Sequence, residues 1–234
     1  MKTRGVLVLA LLASALAALP HQKPTLMAKP PKGAVILFDG KVASMWHQRG
    51  SNDECKWDIV DGCLVGKPGT GDIVTKREFG DYQLHVEFWL PLMANETSQG
   101  RANSGVYQQG RYEIQVLDSY NNPTYKLGGC GAIYGIKDPD RNAIIPPEQW
   151  NTYDITFRAA RFDSDGKQTE NPRITVIHNG IEIHHDVELT ASGTAAGLDG
   201  LPPGRGPILL QFHGDPVRFR NVWIVPVNEK RPRY

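Results

Sequence analysis

Glu113, Gln115 and Asp118 stand within a run of β-branched and aromatic side chains, Tyr112-Glu-Ile-Gln-Val-Leu-Asp118. Such a run reads as a β-strand, because these side chains fit a pleated surface and alternate with a period of two. Glu113 and Gln115 then project from one face, and Tyr112, Ile114 and Val116 from the other. Strict alternation puts Asp118 opposite Glu113. A one-residue bulge near Val116-Leu117 would rotate it onto the same face. Two carboxylates and an amide on a rigid sheet suit sugar chemistry, in which one acid gives a proton and another takes one or stabilises positive charge. The plainer reading is a solvated outer face, which also alternates polar and apolar residues.

Other strands carry polar residues on one parity. Tyr82–Leu90 sets Gln83, His85, Glu87 and Trp89 against Leu84, Val86 and Phe88. Ile208–His213 sets Gln211 and His213 against Ile208, Leu210 and Phe212. Together with Glu113 and Gln115 they would line one sheet face with acids, amides and imidazole. Trp46, Trp57, Trp89 and Trp150 offer flat surfaces for a sugar ring, with core packing the favoured reading for Trp57 and for Trp223. Asn103-Ser104-Gly105 would aim a polar side chain into a groove, or simply turn the chain. Metal chemistry is weakly signalled: the adjacent His184 and His185 point to opposite faces of a strand, and neither a zinc pattern nor a calcium loop is present. Gly-x-Ser-x-Gly is absent as well, so serine nucleophile chemistry has no support.

The elements that must position these residues are strands. Strand-like runs recur along the 234 residues, separated by turn signals drawn from 24 Gly and 17 Pro. Asp61-Gly62 and Asn179-Gly180 mark tight hairpins. No long window keeps a helical apolar period. The expectation is therefore an all-β domain over residues 34–228, two packed antiparallel sheets, with loops near 91–102, 119–130, 137–149 and 189–206 walling a groove. Gly131–Tyr134 is also expected as a strand.

Lys plus Arg total 26 and Asp plus Glu 25, a net charge of +1, so no global field recruits nucleic acid or anionic membrane. Residues 1–18 combine Lys2 and Arg4 with an apolar run ending in small residues, the pattern of a signal peptide. The run is short for a membrane span. The expected mature protein is secreted or periplasmic and free of the membrane, with residues 19–33 as a flexible leader. The three cysteines read as buried thiols. A Cys55–Cys63 bond is disfavoured because the hairpin at Asp61-Gly62 sets them roughly 16 Å apart at ~3.3 Å per residue.

The chain resembles the 3-keto-disaccharide hydrolase family, whose members adopt a concanavalin A-like jelly-roll β-sandwich. The resemblance is carried by Leu37-Phe-Asp-Gly40, Trp57-Asp-Ile-Val-Asp-Gly62, Asp81-Tyr-Gln-Leu-His-Val-Glu-Phe88, Asn103-Ser-Gly-Val-Tyr107, Tyr112-Glu-Ile-Gln-Val-Leu-Asp-Ser119, Cys130-Gly-Ala-Ile-Tyr-Gly135, Trp150-Asn151 and Gln211-Phe-His-Gly214. The family usually has Gln-Asp-His-Gly where this chain has Phe212. By parity that residue faces away from Gln211 and His213, so the groove is expected to survive.

The resemblance implies hydrolysis of 3-keto glycosides. A ketone at C3 acidifies the C2 proton, a base removes it, the enolate expels the C1 substituent, and water adds back. Glu113 is the candidate base, with Glu87 or His213 as acid. Gln115, Gln211 and Asn103 would be donors to the enolate or to sugar hydroxyls, and Asp118, Tyr134 and Trp150 would contact substrate. A divalent ion would serve in place of the amides as electrophile, but the sequence does not demand one. The rival readings are a conventional glycoside hydrolase using Glu113 and Asp118, and a carbohydrate-binding module without catalysis. Against the first, the family strand resembles the Glu-x-Asp-x-x-Glu strand of jelly-roll glucanases, yet here Gln115 stands in the middle and the shorter Asp118 at the end.

Overall fold

Fifteen strands order the chain in a computed structural model that describes residues 25–227. The signal reading over 1–18, and the leader up to residue 24, lie outside the described residues. The strands are β1 (Val35–Phe38), β2 (Trp46–Gln48), β3 (Asp58–Val60), β4 (Cys63–Val65), β5 (Ile73–Thr75), β6 (Asp81–Trp89), β7 (Ser104–Gln108), β8 (Tyr112–Val116), β9 (Trp150–Arg158), β10 (Arg161–Phe162), β11 (Gln168–Glu170), β12 (Arg173–His178), β13 (Ile181–Glu188), β14 (Leu209–Leu210) and β15 (Arg218–Val227).

Two antiparallel sheets carry the fold, with a small β10–β11 ribbon beside them. The large sheet runs β13-β12-β9-β6-β15-β4-β3, with β1 added along β15. The small sheet runs β2-β5-β14-β7-β8. Leu84, Val86 and Phe88 of β6 and Ile155 and Phe157 of β9 meet Val106 of β7 and Ile114 and Val116 of β8 in one core cluster. Each such side chain contributes about 1.5–3 kcal/mol by leaving water. Hydrogen bonds tie the sheets together within this core: Tyr82 donates to Gln108 at 3.1 Å, and Tyr153 to the Gln115 carbonyl at 2.7 Å. The molecule is the expected jelly-roll β-sandwich.

Both hairpins form where the turn residues demand. Asp61 and Gly62 take φ of 51° and 74°, Asn179 and Gly180 take 52° and 78°, and these left-handed pairs close Val60 on Cys63 and His178 on Ile181. The three cysteines are free thiols, Cys55 half-buried and the others buried. Three expectations are corrected. Residues 131–134 form no strand, because Ala132 turns back onto the Gly129 carbonyl and only Ile133 bridges to Ile114. Trp46 is a core residue, its indole donating to the Leu37 carbonyl at 2.8 Å, while Trp223 lies on the other face of β15, stacked on His85. Part of the expected leader is docked: Thr25 donates to the Asp154 carboxylate, Met27 N donates to Glu87 Oε1 at 2.6 Å, and the Ala28 carbonyl accepts from Asn221.

Candidate active site

In the pairing of β7 with β8, Tyr107 lies opposite Glu113 and Gly105 opposite Gln115. Val106 and Ile114 enter the core, so period two turns the other four outward from the small sheet. Leu209 of β14 pairs with Tyr107. Two residues on, Gln211 N donates to the Gly105 carbonyl at 3.0 Å, which adds Gln211 to the same row. Gly105 is there for space: a Cβ on it would stand 2.3 Å from Glu113 Oε1 and 2.9 Å from the Tyr107 ring. The missing side chain is what lets the Glu113 carboxyl lie over the sheet.

These residues form a pocket of about 120 Å³. Its floor is Tyr107, Glu113, Gln115 and Gln211. Gln99 and Asn103 close one side, Ala195 and Ala196 another, and Tyr134 and His213 form its rim. The loops expected to wall a groove do so here: Gln99 comes from 91–102, and Ala195 and Ala196 from 189–206.

Glu113 is the only carboxylate on this lining. It is 3% exposed, and Oε2 accepts a 2.8 Å hydrogen bond from Tyr107. Burial removes water from its charge and pushes its pKa up to about 8. The Tyr107 bond opposes that shift, and the charge of Asp72 adds to it. Asp72 is itself paired with Arg49 at 2.8 Å and accepts from Phe212 N. Burial, together with the adjacent carboxyl, pushes the Tyr107 phenol well above its ordinary range, so Tyr107 stays a donor. Its hydroxyl also reaches the Ala195 carbonyl at 3.1 Å and accepts from Gln211 Nε2 at 3.1 Å.

Gln99 fixes the orientation of the amides. Its Nε2 donates to the Gly128 carbonyl at 2.8 Å and to Thr124 at 2.6 Å, so its Oε1 must face the pocket side. There it accepts from Gln115 Nε2 at 3.0 Å and from Asn103 Nδ2 at 3.3 Å. Gln115 Oε1 and Gln211 Oε1 are buried without a partner. The expectation that these amides act as donors is therefore revised. Their nitrogens are engaged with protein atoms, and the open atoms are carbonyl oxygens, which accept from hydroxyls. A buried acceptor left unpaired costs about 1–3 kcal/mol, which a hydroxylated ligand would recover.

Asn103, Glu113, Gln115, Tyr134, Gln211 and His213 are thus brought together, and three expected site residues are not. Glu87 is on β6 of the other sheet, on its outward face, buried beneath the Thr25–Ala28 segment. It accepts from Arg220 Nε at 2.8 Å and Asn221 Nδ2 at 2.9 Å, and His85 Nε2 lies 3.5 Å away. Burial alone would raise its pKa. These bonds and that from Met27 N outweigh burial and hold it at about 2. Such a group keeps its charge and is unsuited to giving a proton. Trp150 pairs with Trp89 on that same sheet, with the Arg220 guanidinium 3.7 Å from its ring centre. Asp118 follows the end of β8, where Val116 and Leu117 both enter the core; its carboxylate turns to Arg101 and is fully buried. Gln99 and Tyr107 were missed. Tyr107 was findable, since it shares the parity of Gly105. Gln99 lies in a 3₁₀ turn, Ser98–Gly100, that periodicity cannot read. Among the described residues no group of three His, Cys, Asp or Glu side chains is placed to hold a metal ion.

A family model described as the 3-keto-alpha-glucoside-1,2-lyase-like domain matches residues 33–225. The chain is similar to a solved structure from Parabacteroides distasonis described as a "putative glycosyl hydrolase", with 41% identity, coverage of 84% of this chain and 85% of that one, and a TM-score of 0.77. A second structure from the same organism, described in the same words, shares 21% identity over 84% of this chain and 95% of that one, with a TM-score of 0.63, a likeness of fold. No curated protein matches the sequence.

Proposed function

The chain belongs to the family of 3-keto-alpha-glucoside-1,2-lyase-like domains, which makes it a carbohydrate-active enzyme, and from that premise we propose that it cleaves 3-keto glycosides with Glu113 as the base. The observation that carries this reading is the single carboxylate on the pocket lining. Ordinary retaining and inverting glycosidases need two carboxylates, one on each side of the scissile bond. Elimination from a 3-keto sugar needs one base, because the ketone has already acidified C2–H.

Glu113 takes the C2 proton. The C–H electron pair moves into the ring as an enolate with the negative charge on the C3 oxygen. The enolate re-forms the ketone, a C1–C2 double bond forms, and the C1–O bond breaks with its electrons on the leaving oxygen, which must be protonated. The proton donors on the rim are the Tyr134 hydroxyl and the His213 imidazole, and with Glu87 excluded by position, His213 is assigned to the leaving group. Water adding at C1 completes net hydrolysis. Gln115 Oε1 and Gln211 Oε1 accept from sugar hydroxyls and hold the ring over Glu113. A carboxyl with a pKa near 8 is a strong base for its class, and Brønsted behaviour favours a base titrating close to the working pH.

Incubating the purified protein with matched oxidised and unoxidised disaccharides tests this. Turnover of the 3-keto sugar alone is expected. Turnover of the plain sugar would instead support a conventional glycosidase, and saturable binding without turnover of either a carbohydrate-binding module. We also propose export, on the pattern of residues 1–18, into the periplasm or medium. An exported chain whose intact mass retains Met1, or one found only in membranes, would overturn that.

A further inference from the structure

The pocket over Glu113, about 120 Å³, is smaller than the ~300–1,000 Å³ usual for ligand sites, so the far half of a glycoside must lie outside it. A larger cleft of about 750 Å³ stands beside it, on the far side of Tyr134 and Gln99. The two share a wall. Tyr125, on the cleft, hydrogen-bonds through its hydroxyl to that of Tyr134, on the pocket, and their ring centres are 6.4 Å apart. Thr124, also on the cleft, accepts from Gln99, on the pocket. The Tyr125 ring lies against Gly128, where a Cβ would come within 2.4 Å of it, and the Gly128 carbonyl accepts from Gln99. The ridge between the two is therefore tied to the same network that orients Gln115.

The cleft is built for a neutral polyhydroxy ligand. Ser119, Asn121 and Asn142 offer hydroxyl and amide groups, Lys126 and Asp138 offer one charge of each sign, and Tyr125, 52% exposed, presents an aromatic face at the ridge. Amides and carboxylates pair with sugar hydroxyls, and an aromatic face stacks on the apolar side of a sugar ring. We propose that this cleft is the subsite for the leaving-group sugar, with Tyr125 as its stacking platform and Asn142 as a hydrogen-bonding residue on its wall. This rests on the reading of the Glu113 pocket as the place where the glycosidic bond breaks.

The test uses Tyr125→Ala, Tyr125→Phe and Asn142→Ala, each checked for fold by circular dichroism. Binding of unoxidised glucose disaccharides (trehalose, maltose, cellobiose) and of methyl glucosides is measured by calorimetry, and turnover is compared for a 3-keto disaccharide and its methyl 3-keto glycoside. Wild type should prefer disaccharide over methyl glycoside in both assays. That preference should fall about tenfold in Tyr125→Ala and about fivefold in Asn142→Ala, and be largely kept in Tyr125→Phe, which retains the ring. A wild type with no preference, or a preference unchanged in both alanine variants, overturns the subsite. If no keto sugar is turned over, the reading of the pocket fails and the leaving-group role with it; a disaccharide preference in binding that the alanine variants lose would then show a sugar-binding cleft that serves no bond cleavage at Glu113.

Discussion

Replacing Glu113 by Gln should cut turnover sharply and make the protein more stable at neutral pH. In the unfolded chain this carboxyl ionises near its ordinary value of 4.5, and in the folded chain near 8. A raised folded pKa means stability present below pH 4.5 and lost as pH rises through 8. At pH 7 the unfolded state has gained about 2.5 pH units of ionisation that the folded state resists, a loss of about 3 kcal/mol at ~1.4 kcal/mol per unit. Gln removes that loss at every pH. In the variant, Tyr107 can accept from the new amide and donate to the Ala195 carbonyl, already 3.1 Å away. Allowing about 1 kcal/mol for a poorer hydrogen bond, the net gain at pH 7 is about 2 kcal/mol, or roughly 4–8 °C in Tm. At pH 5 the gain should shrink to nothing. Urea unfolding of both proteins from pH 5 to 8.5 reads this directly, and turnover should drop ~10²–10⁴-fold. In the wild type, the rising limb of kcat/KM should follow Glu113 and climb with pH toward about 8, since only about a tenth of the base is ionised at pH 7. A Gln variant no more stable than wild type at pH 7 would refute the desolvation reasoning, and near-normal turnover by a folded variant would remove Glu113 as base.

Glu87→Gln should do the reverse, keeping kcat within a few-fold while losing about 3 kcal/mol in urea unfolding at pH 7, because a pKa held at about 2 gives stability that is present above pH 4.5 and lost as pH falls toward 2. Gly105→Ala should cost about 1–3 kcal/mol in thermal unfolding and at least ~10²-fold in turnover, since the new Cβ would stand 2.3 Å from Glu113 Oε1 and something must move. Gln99→Leu should raise KM more than it lowers kcat in steady-state kinetics, because it removes the side-chain acceptor of Gln115 Nε2 and leaves Asn103 only the residue 99 carbonyl, without touching Glu113, and Gln99→Glu, which keeps the acceptor, should partly restore KM. Deleting residues up to Ala28 should cost about 2 kcal/mol of stability by urea unfolding, having removed the Met27 and Thr25 bonds to Glu87 and Asp154.

Period-two alternation made much of this legible. It paired Glu113 with Gln115 and Gln211 with His213, and it turned Phe212 away toward Trp57, where the ring centres are 6.5 Å apart. It could not say which sheet a strand joins. Glu87 and His85 have the expected parity, but β6 hydrogen-bonds to β9 and β15, strands distant in sequence, and its polar face is on the far side of the sandwich from Glu113. Trp150 follows β6 there for the same reason. Asp118 required a local count of the residues at the end of β8, and the Arg101 that claims it comes from a loop with no periodic signal. Gln99 was illegible on the same ground, because its role depends on a turn and on carbonyls from residues 124–128.

Two buried glutamates on opposite sheets show how the same side chain is assigned opposite work. Glu87 is fully buried, yet it accepts from Arg220, Asn221 and the Met27 amide, and lies beside a histidine whose own pKa is raised by Asp154 and Glu87 against the effect of burial. Three donors and the neighbouring imidazole more than offset the lost water, so the charge is fixed and the residue fastens the chain's first described segment to the sheet. Glu113 is as nearly buried and has one side-chain donor, Tyr107. Burial prevails there, and the carboxyl is left at a pKa where it can still take a proton. The number of donors that reach each carboxyl decides between the two, and that number depends on segments brought together only by the fold.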